Sequence, residues 1–136
     1  HTMNQRLAYH IDLLAQLNTQ LAKLELADEN YNSDNTILQQ LSQLIESLKD
    51  ASVQQYDSAI FDGQQWLQRF LTHNPELAPA IHRDLLWFFG GDCLHFMPDD
   101  EIEKYQLLDD AMAEAMLRKT PFNYTLSREA IFDTKQ

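Results

Sequence analysis

Apolar positions in the first part of the chain recur at alternating steps of three and four: Leu7, His10, Leu14, Leu17, Leu21 and Leu24. That spacing places them on one stripe of an α-helix, so the pattern predicts a first helix over about residues 4–27. The following stretch, Asp28 to Asp34, has no apolar period and is rich in turn formers, which predicts a loop. Asp34 or Asn35 then caps a second helix whose stripe is Ile37, Leu41, Leu44 and Leu48. A third stripe runs through Val53, Tyr56, Ile60, Gly63, Leu67 and Phe70. The five-residue step from Leu48 to Val53 breaks the phase, and Ser52 with Gln55 three residues later reads as a capping box, so a break is expected near residue 50. Neither Gly nor Pro enforces that break, and one continuous helix over 35–73 stays open. Gly63 lies on the apolar stripe, where a missing side chain lets another backbone approach, and reads as a packing contact.

Asn74 followed by Pro75 is a helix-start signal, but Pro79 would clash with the preceding turn of a helix begun there. The fourth helix is therefore expected to run from Pro79 to Phe89. Its segment Leu85-Leu86-Trp87-Phe88-Phe89 is apolar on every side, the pattern of a helix covered around its circumference. Gly90-Gly91 ends it, since glycine adopts the positive φ of a helix C-cap. After a connector over 92–97, Pro98 and the acids Asp99, Asp100 and Glu101 suit the start of a fifth helix. Ile102, Tyr105, Leu108, Met112 and either Ala115 or Met116 trace its buried face, and Arg118-Lys119 precede its end at Thr120-Pro121. The tail alternates Phe122, Tyr124 and Leu126, which suggests an extended stretch followed by one helical turn capped by Ser127.

Composition supports an all-α reading. Leucine occurs 21 times while valine and isoleucine together reach 8, and 3 glycines with 4 prolines are too few for the many turns of a sandwich or barrel. The prediction is a single-domain bundle of four to five helices over residues 3–136; His1 and Thr2 precede Met3 and read as the remnant of an expression tag. With 21 acids against 10 bases the formal charge is -11. Polyanion binding draws its affinity from Lys and Arg, so nucleic acid and anionic membrane are disfavoured as partners. The single cysteine, Cys93, has no partner for an internal disulfide, and neither a basic-then-apolar leader nor a run of about 18 apolar residues is present, which together point to the cytoplasm.

Chemically unusual residues concentrate between His82 and Glu101. Around the Gly90-Gly91 hinge, His82, Asp92, Cys93 and His95 supply imidazole, carboxylate and thiol of the kind zinc or iron takes, which would make a small metal-dependent enzyme or sensor. Their spacing matches no ligand motif, and helix capping with ordinary core packing accounts for the same residues, so no cofactor is expected. His82-Arg83-Asp84 copies a kinase tripeptide without its companion motifs, and no Glu lies three residues before a His as di-iron bundles require. Asp109, Asp110 and Glu114 read as a solvated acidic face. Trp66, Trp87, Phe88 and Phe89 exceed what a small bundle must bury, and aromatics of this kind anchor interfaces, which singles out Trp87, Phe88 and Phe89 beside the hinge. With the leucine stripe of the first helix, they point to a non-enzymatic module that forms a homodimer and docks a protein partner.

The segment from Arg83 to Met97, with Asp99-Asp100-Glu101-Ile102 after it, resembles a family of small uncharacterised bacterial proteins. The resemblance is strongest over about 20 residues. It implies a compact bacterial cytoplasmic protein whose characteristic segment is the hinge, and it brings no activity to any residue.

Overall fold

The computed structural model describes residues 2–27, 36–50 and 53–132, and among these it contains helices and no strand. The helices are α1 (Thr2–Ala27), α2 (Thr36–Asp50), α3 (Val53–His73), a 3-10 helix (Pro75–Ala80), α4 (Arg83–Phe89), a second 3-10 helix (Gly91–Phe96), α5 (Asp99–Arg118) and α6 (Tyr124–Phe132). The all-α expectation holds. The expectation of four to five helices is too low, because the connectors Pro75–Ala80 and Gly91–Phe96 are themselves helical and the tail is a full helix.

The stripes read from the sequence form the core. His10, Leu14, Leu17 and Leu21 of α1, Leu41, Leu44 and Leu48 of α2, and Leu67 and Phe70 of α3 are all buried. α2 and α3 lie side by side and antiparallel: at one end Arg69 donates to the Gln40 amide oxygen at 3.3 Å, at the other Asp50 and Gln55 line one groove, and the Trp66 indole donates to the Ile37 carbonyl at 3.2 Å. One continuous helix over 35–73 is thereby excluded. The Asp34 or Asn35 cap, the loop over 28–34 and Ser52 of the capping box lie outside the described residues. α1 packs against α2, α4 and α6, while α5 and α6 form a hairpin on the far side. No helix among the described residues is long and apolar enough to cross a membrane.

The fourth helix departs from its expected start. Pro75 to Ala80 form a 3-10 helix with Pro79 inside it, and α4 begins only at Arg83 after His82. The tighter 3-10 winding uses bonds of shorter reach, so it accommodates the Pro79 ring that an α-turn would exclude. α4 is seven residues long, and Leu85, Leu86, Phe88 and Phe89 are all buried, as its apolar circumference implies. Gly90 and Gly91 carry positive φ values of 67° and 59°, which lets the chain leave α4 and enter the second 3-10 helix within two residues. The 92–97 connector is therefore mostly helical. In the tail, Asn123 and not Ser127 caps the last helix: its side-chain oxygen accepts the Leu126 N–H at 3.0 Å. On α5 the choice between Ala115 and Met116 falls to Ala115, which is buried while Met116 is exposed.

Gly63 is a packing contact as expected, but a side chain and not a backbone makes the approach. A Cβ built there would overlap the ring of Phe89, which is held in the core, and the neighbouring Gln64 side chain donates to the Phe89 carbonyl at 2.6 Å. Gly63→Ala should gain about 1 kcal/mol of helix propensity and lose more to overpacking. The expected net result is a destabilisation of about 1–3 kcal/mol, read as a lower urea midpoint with an unchanged denaturant slope.

Candidate functional site

The hinge segment carries the residues that chemistry singled out, and α4 sets their directions. Seven residues make barely two turns, so neighbours on α4 diverge. Phe88 points at α1, where its ring stacks on His10 at 4.4 Å and 11°. Phe89 packs over Gly63 of α3. Trp87 is half-buried, stacks on Tyr105 of α5 and donates its indole N–H to Asp109 at 2.8 Å. With Phe88 and Phe89 exposed by only 5% and 3%, the two rings present no docking surface to a partner. The exposed aromatic of this segment is Phe96, half-exposed at the end of the second 3-10 helix. Its carbonyl accepts from Arg83 at 3.0 Å, and the same guanidinium pairs with Glu101 at 2.7 Å.

Nor are the four candidate metal ligands gathered. Cys93 is fully buried, and burial, with a smaller contribution from the Asp92 charge, pushes its thiol up to about 11. Asp92 and His95 stand on the surface 4.0 Å apart. His82 turns to the other side, towards Asp84. Among the described residues no group of three or more His, Cys, Asp or Glu is placed to hold a metal ion.

What the segment does assemble is a buried polar cluster around Asp84. This carboxylate is fully buried and receives four hydrogen-bonding contacts: two from the Arg128 guanidinium at 2.6 and 2.7 Å, one from the Tyr105 hydroxyl at 2.7 Å, and one from His82 Nδ1 at 2.9 Å. His82 Nδ1 also lies 3.3 Å from the Asp84 N–H. One nitrogen serves only one of these roles, and the shorter contact to a charged acceptor assigns the proton to Nδ1. Burial alone raises the Asp84 carboxyl, but the bonds from His82, Arg128 and Tyr105 outweigh it and hold the group well below the usual carboxylate range. Arg128 is in turn sandwiched over the rings of Phe132 and Tyr9. The cluster ties α4, α5 and α6 together, which makes it structural cement at the floor of the hinge.

A second network joins the ends of the chain. The Gln5 side chain donates to the Phe122 carbonyl and accepts the Tyr124 N–H, both at 2.8 Å, so it satisfies backbone groups at the entry to α6. Arg6 pairs with Asp109 at 3.1 Å, which removes Asp109 from the solvated acidic face to which the sequence assigned it. His10 Nδ1 donates to the Arg6 carbonyl at 2.7 Å, leaving Nε2 without a protein partner. Burial first, then the Arg6 charge, lowers His10 to about 4.

Surface chemistry lies elsewhere. Among the described residues the exposed large apolar side chains are Phe61, Phe96, Leu107, Met116, Leu117 and Leu126, and four of these six belong to the α5–α6 hairpin. Leu107 and Leu117 had a sequence signal: they fall off the stripe of Ile102, Tyr105, Leu108 and Met112, so a helix buried along that stripe must expose them. The pairing of Arg128 and Tyr105 with Asp84 had none, because their partner lies 44 and 21 residues away. An open groove of about 340 Å³ between α2 and α3 is lined with polar groups, among them Gln40, Gln43, Gln65 and Arg69, and shares no residue with the hinge.

The family described as PA2817-like covers residues 2–136. No curated protein and no solved structure matches the chain.

Two measurements test the buried groups. Asp84→Asn leaves Arg128 facing a neutral amide and should cost about 3 kcal/mol in urea unfolding, the lower end for a broken buried pair because Arg128 keeps some contact with water. The pH dependence separates His10 from Asp84. His10 stays neutral in the folded chain down to about 4 while the unfolded chain takes up its proton near 6.5, so stability falls as pH drops through that window. At 1.36 kcal/mol per unit the loss is about 3 kcal/mol. The depressed Asp84 carboxyl acts only further down: its contribution is complete above about 4 and is lost as pH falls below that. His10→Phe should flatten the upper window and leave the lower one.

Proposed function

This chain belongs to the PA2817-like family, and from that premise we propose that it is a cytoplasmic protein-binding module, acting by docking a protein partner and not by catalysis. The observation that carries this reading is the exposure of Leu107, Met116, Leu117 and Leu126 on α5 and α6. These are large apolar groups on a hairpin whose backbone is pinned from beneath by Asp84, Arg128 and Gln5. Apolar side chains held on a rigid scaffold lose little conformational entropy on binding, which is the property of an interface anchor. The docking surface thus moves from Phe88 and Phe89 to the hairpin and to the neighbouring Phe96. Cys93, kept as a buried thiol, accords with a reducing compartment. Self-association through the same leucines is the second form of this reading, and the homodimer belongs to it.

The test uses the full chain and a Leu117→Ser, Leu126→Ser variant. Both substitutions lie on the surface, so the melting temperature should stay within the small range of ordinary surface changes, about 0.5 kcal/mol. Wild type should retain a near-stoichiometric partner from lysate at two salt concentrations, or sediment as a dimer, and the variant should do neither. Identical behaviour of the two proteins overturns the reading.

A further inference from the structure

We propose that the outward stripe of α5 is a docking track for a basic amphipathic helix of a partner protein, an inference that rests on the protein-binding reading above and names the chemistry of the partner. At 100° per residue, Glu103, Leu107, Asp110, Glu114 and Leu117 share an arc of roughly 80°. That arc faces away from the buried Tyr105, Leu108, Met112 and Ala115, and all five of its residues are exposed. Steps of four, three, four and three keep these two leucines and three acids on one face of the helix. Leu107 and Leu117, exposed by 58% and 82%, stand about 15 Å apart along the axis, with Asp110 and Glu114 between them on the same arc.

The charge of this track selects its occupant. Along α5, Asp99–Arg118, seven acids accompany two bases, Lys104 and Arg118. Glu101 is already paired with Arg83, and Asp109 with Arg6, on the flanks of the helix. Asp99, Asp100, Glu103, Asp110 and Glu114 remain turned to solvent. Two of them hold contacts within α5: Asp110 accepts from Gln106, and Glu114 pairs with Arg118. Exposed pairs of this type are worth little and exchange readily for a partner's cation. A second copy laid on the track would set carboxylates against carboxylates, and an anionic membrane would be repelled. A helix with leucine-sized residues three turns apart, flanked by Lys or Arg, satisfies both the apolar and the charged positions.

The experiment titrates the full chain into a fluorescently labelled 18-residue helical peptide that carries leucines along one face and lysines beside them. Two control peptides accompany it: one of the same composition with the leucine face scrambled, and one with glutamate for lysine. The expected result is binding of the amphipathic basic peptide alone, weakened at least tenfold by Leu107→Ser with Leu117→Ser and also by Glu103→Lys with Asp110→Lys, while thermal unfolding of both variants stays as in wild type. Equal binding of the scrambled peptide, or undiminished binding by the Leu107→Ser, Leu117→Ser variant, overturns the proposal. If the peptide fails to bind and that variant instead abolishes a wild-type dimer, the occupant is a second copy: the partner chemistry is then wrong and the protein-binding reading stands. If no peptide, partner or dimer engages the leucines, both fall together.

Discussion

A carboxylate with no access to water must be neutralised where it sits, and Asp84 is such a carboxylate. Its partners come from three directions: His82 immediately before α4, Tyr105 from α5 and Arg128 from α6. The His82 contact is local, but the full set forms only when α4, α5 and α6 are all in place. The position of α6 follows from this requirement, because only there does the Arg128 guanidinium reach both carboxylate oxygens while its flat face rests on Phe132. The packing of Trp87 on Tyr105 follows as well, since Tyr105 is fixed at its hydroxyl end. Hydrophobic burial makes the bundle compact, and the paired charge makes one arrangement of its C-terminal half better than the others.

The same half is held from the opposite direction by the first turns of α1. Gln5 meets the entry of α6, Arg6 meets Asp109 of α5, and His10 stacks on Phe88 of α4. Residues more than a hundred positions apart thus share one polar layer, with Asp109 serving Arg6 and Trp87 at once. His10 occupies a position on the leucine stripe and behaves as part of it: uncharged, buried and bonded to its own helix one turn back.

The consequence for function is a separation of roles. Aromatic residues of α4, which look on paper like a surplus available to a partner, are consumed inside, each by a different neighbouring helix. The exposed large apolar side chains lie mostly on the α5–α6 hairpin, and on α5 the inner face of Tyr105, Leu108, Met112 and Ala115 fixes the direction in which the outer face points. The hinge segment was legible in the sequence as a concentration of special residues. Its use was not, because Cys93 faces the core while Asp92 and His95 face water, and within one short 3-10 helix only the neighbouring elements decide which residue turns which way.

The sequence by itself determined the long helices. The stripes of α1, α2, α3 and α5 have enough turns for a 3.6-residue period to be unambiguous, and local chemistry was sufficient to end α4 at Gly90-Gly91, to start α5 after Pro98 and to mark Gly63 as a contact. Tertiary structure decided the short elements: both 3-10 helices, the late start of α4 at Arg83 and the whole of α6. Segments of six to nine residues lie below the length at which propensity alone sustains a helix, so their conformation depends on what they are packed against. The tail shows this most plainly. Phe122, Tyr124 and Leu126 alternate as a strand would, yet Gln5 bonds the backbone at the start of this segment and Asp84 binds Arg128 further along it, and those distant groups make it a helix.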